Sequence, residues 1–160
     1  MEPLRLGGVR PGAADLFVTI SDDAGPFLRV DIYRSPEQEA FVFQDVIIWN
    51  ERVFVGFGER VYVIDPVKRI GSHIILSGFA GYFGGFYTAS EYLLVASGDS
   101  LRRLAPDGRV LWAAPHLGLD GVIVDSVENG IIRGQGEWDP PGGWKPFAMQ
   151  LDSGQIIADR

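Results

Sequence analysis

Four carboxylates in the second half of the chain are of a type that could do acid–base chemistry: Asp120, Asp125, Glu137 and Asp139. A pair of carboxylates at a suitable separation can cleave a glycosidic bond, and nearby aromatic rings would give the sugar a platform. Acidic residues are also common in turns, where they hydrogen-bond to their own backbone. The set therefore allows two interpretations, a carboxylate-dependent carbohydrate-active hydrolase or sugar-binding domain, and ordinary solvated turns.

The other ingredients of a catalytic or metal site are scarce. The chain has no cysteine and two histidines, His73 and His116, which are far apart in the sequence. It contains no seryl nucleophile motif, no phosphate-binding loop and no calcium-binding loop of the EF-hand type. We therefore expect no catalytic residues, no metal and no organic cofactor, and we interpret both histidines as ordinary strand or loop residues.

A segment rich in tryptophan, proline and glycine, residues 137–144, is the strongest candidate for a binding site. Two prolines stiffen it, two glycines allow tight folding, and tryptophan is enriched in binding hot spots. The alternative is that both indoles fold back and cover an exposed edge of a small domain. The candidate binding residues of this predicted loop are Glu137, Trp138, Asp139 and Trp144.

The charge balance excludes several classes of partner. Lys and Arg number 14 against 21 Asp and Glu, which gives a formal net charge of −7. Nucleic-acid binding depends on clustered basic residues, yet the basic residues here form only short pairs such as Arg102-Arg103. We expect no nucleic-acid partner, no membrane association and, since no signal sequence or spanning segment is recognisable, a cytoplasmic acidic protein.

The elements that must position these residues are short strands. Apolar residues recur at a period of two, and 21 glycines and 10 prolines lie scattered between the apolar runs as turn signals. A helical pattern is nearly absent, and the best candidate, residues 35–40, is one turn long. The N-terminal segment, residues 1–40, predicts a hairpin, with strands at 16–21 and 28–33, followed by a linker.

Beyond this N-terminal segment the chain repeats itself. The glycines Gly58, Gly98 and Gly136 recur at nearly equal intervals, and each is followed by an acidic or polar residue. We interpret them as turn glycines between apolar strands, with residues 137–144 inserted in the third copy. Each copy has four short antiparallel strands, and the predicted units span residues 41–77, 82–113 and 120–158.

A four-strand unit that repeats at this interval resembles a β-propeller blade. Residues 105–112 look like the blade end of quinoprotein-type repeats, in which a turn with Gly precedes a strand that ends in Trp. Residues 151–157 are similar but lack the Trp, and residues 64–70 lack both. The resemblance implies a single all-β domain over residues 1–160, a small or incomplete β-propeller-like array, with Trp112 in its core. It transfers no functional residue.

These observations favour a non-enzymatic protein-binding module that acts through a rigid β scaffold. In its most concrete form this is a bacterial toxin-neutralising immunity protein, small and acidic. The carbohydrate-active hydrolase or sugar-binding domain is the alternative. A third interpretation is an array of sheets that does not close by itself, which another chain or a homo-oligomer would complete.

Overall fold

The computed structural model describes residues 1–34, 43–78, 80–138 and 142–157, and this part of the chain contains strands and turns but no helix. The all-β prediction is confirmed; the one-turn candidate at residues 35–40 falls outside the described residues. Accordingly, no membrane-spanning helix occurs in this part of the chain. The strands are β1 Leu4–Gly7, β2 Leu16–Asp22, β3 Gly25–Tyr33, β4 Gln44–Trp49, β5 Arg52–Phe57, β6 Arg60–Asp65, β7 Ile70–Ile75, β8 Phe83–Ala89, β9 Tyr92–Ser97, β10 Leu101–Leu104, β11 Val110–Ala114, β12 Val122–Glu128, β13 Ile131–Trp138 and β14 Gly143–Gln150.

The strands form four sheets that follow one another along the chain. The first has the order β1-β3-β2, the second β4-β5-β6-β7, the third β8-β9-β10-β11 and the fourth β12-β13-β14. The second and third sheets are four-stranded and antiparallel throughout, as the predicted blade-like repeats require. In the fourth sheet the predicted last strand is reduced to residues 155–157, which run beside β14 through a bridge between Met149 and Ile156.

Apolar layers join the sheets in chain order. One layer lies between the first and second sheets, a second between the second and third, and a third between the third and fourth. Strand β5 is buried on both faces, because Val53 and Val55 contact the first sheet while Phe54 contacts the third. This position explains why its sequence is almost continuously apolar.

Close contact between neighbouring sheets depends on a missing side chain at one glycine. A Cβ on Gly56 would overlap the ring of Phe83, which belongs to the third sheet. Glycine therefore lets a buried phenylalanine lie directly on the backbone of β5. Phe83 is 2% exposed and belongs to the layer between these two sheets.

The first sheet contains a strand that the sequence analysis missed. The predicted hairpin is present as β2 and β3, and its turn is tight because Asp22 pairs directly with Gly25. Strand β1 pairs in parallel with β3, and it lies on β7, where a Cβ on Gly71 would come within 2.7 Å of Leu6. The strand is too short for its alternation to predict it, and its pairing is non-local.

Trp112 has a different role from the one expected. We predicted a core residue, but the indole is only partly buried, at the boundary between the third and fourth sheets. Its Nε1–H donates to the carbonyl oxygen of Leu151 at 2.8 Å, and its ring lies 2.6 Å from the Cβ position of Gly154. Trp112 therefore holds the turn after β14 against the third sheet instead of filling an enclosed core site.

Candidate functional site

Within the predicted loop at residues 137–144, the described residues 137–138 and 143–144 are strand. The pairing of β13 and β14 continues through Glu137 with Trp144 and Trp138 with Gly143, so the prediction of a loop is wrong for these four positions. The ladder extends because it satisfies backbone groups that a loop would leave to water. Asp139 lies outside the described residues, so its predicted binding role stays a prediction.

The repeat alignment also changes at this point. Gly58 lies in the turn between β5 and β6, as predicted, and Gly98 lies between β9 and β10. Gly136, predicted as the equivalent turn glycine, instead lies within β13, where it pairs with both Val122 and Lys145. Because Gly136 has no side chain, the backbone of Leu117 can lie directly against β13; a Cβ on Gly136 would overlap the carbonyl oxygen of Leu117.

The two tryptophans lie on opposite faces of the fourth sheet. Directly paired residues share a face, and successive residues alternate. Trp144 therefore shares the outer face, directed away from the third sheet, with Glu137. Trp138 lies on the inner face, the face that carries the buried Ile132. The tryptophans do not form one aromatic platform.

Residues 118–121 lie beside the outer face and hydrogen-bond to the backbone of β13. The backbone N–H of Glu137 donates to the carbonyl oxygen of Gly121 at 2.8 Å, and its own carbonyl accepts from the N–H of Leu119 at 2.6 Å. The ring of Trp144 lies against Gly121, 3.1 Å from the position that a Cβ would occupy. Trp144 nevertheless remains 46% exposed, so much of its ring is available for contact.

On the inner face, β13 and β14 border an open groove of about 390 Å³. Leu117 is buried, the ring of Trp138 is partly buried, and the Nζ of Lys145 lies 5.9 Å from the centroid of that ring. Among the described residues of the lining there is no carboxylate, although the chain has a net charge of −7. The groove is lined by Pro115, His116, Leu117, Trp138, Lys145, Pro146, Phe147 and Ile156.

One wall of the groove is residues 115–117, which follow β11. The N–H of Leu117 donates to the carbonyl oxygen of Asp99 at 2.8 Å, and its own carbonyl lies against Gly136. His116 adopts a φ of 60°, a left-handed conformation that non-glycine residues rarely adopt. His116, interpreted from the sequence as an ordinary loop histidine, lies in this wall.

The edge of β14 that faces away from β13 limits how a partner can use the groove. Ala148 accepts from the N–H of Ile157 at 2.8 Å, so its polar backbone groups face this edge. Because alternate residues of a strand face the same edge, Pro146 is the next residue to do so, and it has no N–H to donate. Proline on an edge strand opposes further strand pairing. The groove therefore favours recognition through side chains over addition of a strand.

Three carboxylates of the hydrolase interpretation lie in the described part of the chain, and none of these three lines the groove. Asp120 accepts from the hydroxyl of Tyr82 at its carbonyl oxygen, 2.8 Å, and at Oδ1, 3.1 Å. Asp125 accepts from Nε2 of Gln135 at 3.1 Å. The Glu137 side chain lies on the outer face and contributes to the negative field around Tyr82. The described part of the chain offers no cluster of three or more side chains suited to a metal.

Tyr82 should report these acidic surroundings directly. Burial, followed by the hydrogen bond to Asp120 and the charges of Asp120, Glu137 and Asp99, raises the pKa of Tyr82 to about 12. The raised pKa favours the neutral phenol in the folded state, so this contribution to stability is present below pH 10 and is lost as the pH rises through about 12. We expect a pH titration of tyrosinate absorbance to contain a late step that Tyr82→Phe removes. Identical late steps in the two proteins would contradict this assignment.

His73 lies apart from the groove, in β7. Its ring packs beside Tyr62 with the centroids 6.0 Å apart, and burial, together with the charge of Arg60, lowers its pKa. His73 therefore lies in the second sheet, whereas His116 lies in the segment after β11. This arrangement agrees with the interpretation of His73 as an ordinary strand residue.

A buried polar cluster that the sequence pattern does not indicate lies at the turn between β9 and β10. Ser97, Asp99, Ser100 and Arg102 are each at most 7% exposed. Arg102 donates to Ser100 Oγ at 2.7 Å, and Ser97 hydrogen-bonds to Ser100 at 2.6 Å and to Asp99 at 3.2 Å. The short basic pair Arg102-Arg103 thus contains one buried guanidinium. The short polar run between two apolar strands gave no signal of burial.

Comparison with known proteins identifies the fold. No family model matches the sequence, and no curated protein sequence matches it. Among solved structures, the WD40 domain of Pan2 from Neurospora crassa is similar to this chain, with a TM-score of 0.51 and 13% identity over 89% of the chain. The extracellular domain of a putative one component system protein from B. thetaiotaomicron has a TM-score of 0.54 and 13% identity over 80% of the chain.

The chain spans 45% of the solved Pan2 chain and 18% of the solved B. thetaiotaomicron chain, less than half of either. At this level of identity the likeness concerns the fold alone. Together with the four-stranded antiparallel sheets, it confirms the β-propeller-type repeats expected from the sequence.

Proposed function

We propose that this chain is a non-enzymatic protein-binding module whose groove receives a segment of a partner protein. The observation that carries the proposal is the composition of the groove lining. Most of its side chains are apolar or aromatic and are held by a sheet, a rigid platform of the kind that interaction sites use. These apolar and aromatic residues include Leu117, Trp138, Pro146, Phe147 and Ile156.

The chemistry of the lining specifies the ligand. An apolar or aromatic side chain of the partner would pack against Trp138 and Phe147, since large rings contribute most of the contact energy in such sites. The ammonium group of Lys145, which lies 5.9 Å from the centroid of the Trp138 ring, would pair with an acidic residue of the partner. The ligand is therefore a peptide segment that combines a large apolar residue with Asp or Glu.

The test is selection from a phage-displayed library of random peptides against the immobilised protein. We expect enrichment of sequences with an aromatic or aliphatic residue close to Asp or Glu. Synthetic versions of the selected peptides should lose more than about tenfold in affinity with Trp138→Ala, because truncation of a hot-spot tryptophan has an effect of this size. Lys145→Glu should weaken the same peptides, and more strongly at low salt.

Trp144→Ala is the matched control, because it removes the same residue type from the same hairpin on the opposite face. We expect it to leave peptide affinity unchanged. Selected peptides that bind the Trp138→Ala variant as tightly as the parent, with both variants folded by circular dichroism, would exclude the groove as the binding site.

In a narrower version of this proposal the partner is a bacterial toxin and the chain is its immunity protein. The net charge of −7 supports association with a basic partner. The test is coexpression with the toxin encoded beside it: the chain should restore growth, and Trp138→Ala should restore less. A chain with no toxin gene beside it, or one that gives no protection, would exclude this version while leaving the peptide proposal to its own test.

A further inference from the structure

We propose that two copies of this chain dock on each other, with the outer face of the first sheet of each copy against the outer face of the fourth sheet of the other. Two arrays of four sheets would then close a single ring. The proposal rests on the packing order of the sheets, on exposed side chains at both terminal faces, and on their opposite charge balance. It does not depend on the groove.

The second and third sheets are covered by a neighbouring sheet on both faces, whereas the first and fourth sheets each pack against one neighbouring sheet. The three apolar layers join first to second, second to third and third to fourth sheets. Closed propellers typically have about 4–8 blades, so a ring at the upper end of this range would hold two arrays of four sheets.

The outer face of the first sheet is aromatic and basic. Pairing places Arg5 and Phe17 opposite Asp31, and Arg29 opposite Thr19, all on the face directed away from the second sheet. Phe17 is 58% exposed. The guanidinium of Arg29 lies 4.5 Å from the centroid of the Phe17 ring and pairs with Asp31 at 2.7 Å. Asp31 neutralises one of the two arginines, so this face carries a net positive charge.

The outer face of the fourth sheet is apolar and acidic. It presents Trp144, which is 46% exposed, and Ile123, which is 38% exposed. Ile123 and Trp144 lie on the same face because Ile123 pairs with Gln135, which is two residues from Glu137, the partner of Trp144. The pairing of the three strands also places Glu128 and Glu137 on this face, together with the cation Arg133.

The two faces therefore complement each other. The first face presents the exposed ring of Phe17 and the second presents Trp144 and Ile123, and the excess of arginine on one meets the excess of carboxylate on the other. Complementary charge directs which surfaces meet and suppresses wrong pairings. One contact between two copies leaves the fourth-sheet face of one copy and the first-sheet face of the other unpaired. Because a twofold axis brings these two remaining faces together, the assembly closes at two copies.

The test is the mass in solution by size-exclusion chromatography with light scattering over a range of concentrations. We expect twice the chain mass of 17.6 kDa. Phe17→Glu and Ile123→Glu should each shift the protein to the mass of one chain. Val67→Glu is the matched control, since Val67 is an apolar residue with 87% exposure in the turn after β6 and belongs to neither terminal face; it should leave the dimer intact.

Mixing the two single variants gives a second readout. A dimer of one Phe17→Glu chain and one Ile123→Glu chain has two interfaces, and one of them keeps both Phe17 and Ile123. Mixing should therefore restore part of the dimer that neither variant forms alone. Circular dichroism checks that the variants fold, and Phe17→Ser and Ile123→Ser replace any that do not. A parent with the mass of one chain at every concentration, or a dimer that survives both substitutions, would overturn the proposal.

Discussion

Substitution of Asp99 by alanine is expected to destabilise the fold by about 3–5 kcal/mol, because it leaves a buried guanidinium without its counter-charge. Asp99 and Arg102 are 3% and 7% exposed. Burial lowers the pKa of Arg102, and the negative charge of Asp99 opposes that shift. Arg102 also donates to the carbonyl oxygen of Ser77 at 2.6 Å. The cluster thus fixes the segment that joins the second and third sheets.

Urea unfolding followed by tryptophan fluorescence measures this effect. Asp99→Asn keeps the shape and some hydrogen bonds but removes the charge, so it should fall between the parent and Asp99→Ala. Asp23→Ala is the control: Asp23 lies exposed in the turn between β2 and β3, and we expect a change within about 0.5 kcal/mol. An Asp99→Ala variant as stable as Asp23→Ala would show that Arg102 does not need the carboxylate.

Substitution of Gly136 by alanine is expected to have the second largest effect. A Cβ at this position would overlap the carbonyl oxygen of Leu117, and a backbone atom cannot move aside as the end of a flexible side chain can. We expect a loss at or above the upper end of the about 1–3 kcal/mol that overpacking causes. The strain would also separate residues 115–117 from β13 and so distort one wall of the groove.

Gly85→Ala is the matched control for Gly136→Ala. Gly85 also lies in a strand, β8, but the nearest atom to its Cβ position is 3.8 Å away, an ordinary contact. The free energy of unfolding should therefore change little in Gly85→Ala. Equal stability of the two variants would mean that Leu117 withdraws at little cost, and that the wall is less fixed than its contacts indicate.

The local features of this fold are well predicted from the sequence. Period-two alternation and the short turn at Gly58 are properties of neighbouring residues, and they identify the strands of the second and third sheets. Strand β1 could not be found in this way, because it pairs in parallel with a strand that is distant in the sequence, Leu4 lying opposite Val30. Gly136 was misassigned because a glycine required for close approach and a turn glycine look alike in sequence.

In the candidate site, too, local features are predictable from the sequence and non-local ones are not. Residues 137–144 are unusual for the repeat, and Trp138 of this segment lines the groove. The sequence could not show that Trp138 and Trp144 lie on opposite faces, because this depends on how far the pairing of β13 and β14 continues. The remaining walls come from residues 115–117 and Ile156, which only the packed sheets bring together.

In the proposed function the groove, and not the outer face, receives the partner segment. The most direct measurement is a two-dimensional NMR titration of the indole N–H signals with a peptide selected against the protein. The indoles of Trp49 and Trp112 donate to the carbonyl oxygens of Ala89 and Leu151, so their signals should remain fixed. We predict that the Trp138 signal shifts in a saturable manner while that of Trp144 does not; a saturating shift at Trp144 with Trp138 unchanged would contradict the account.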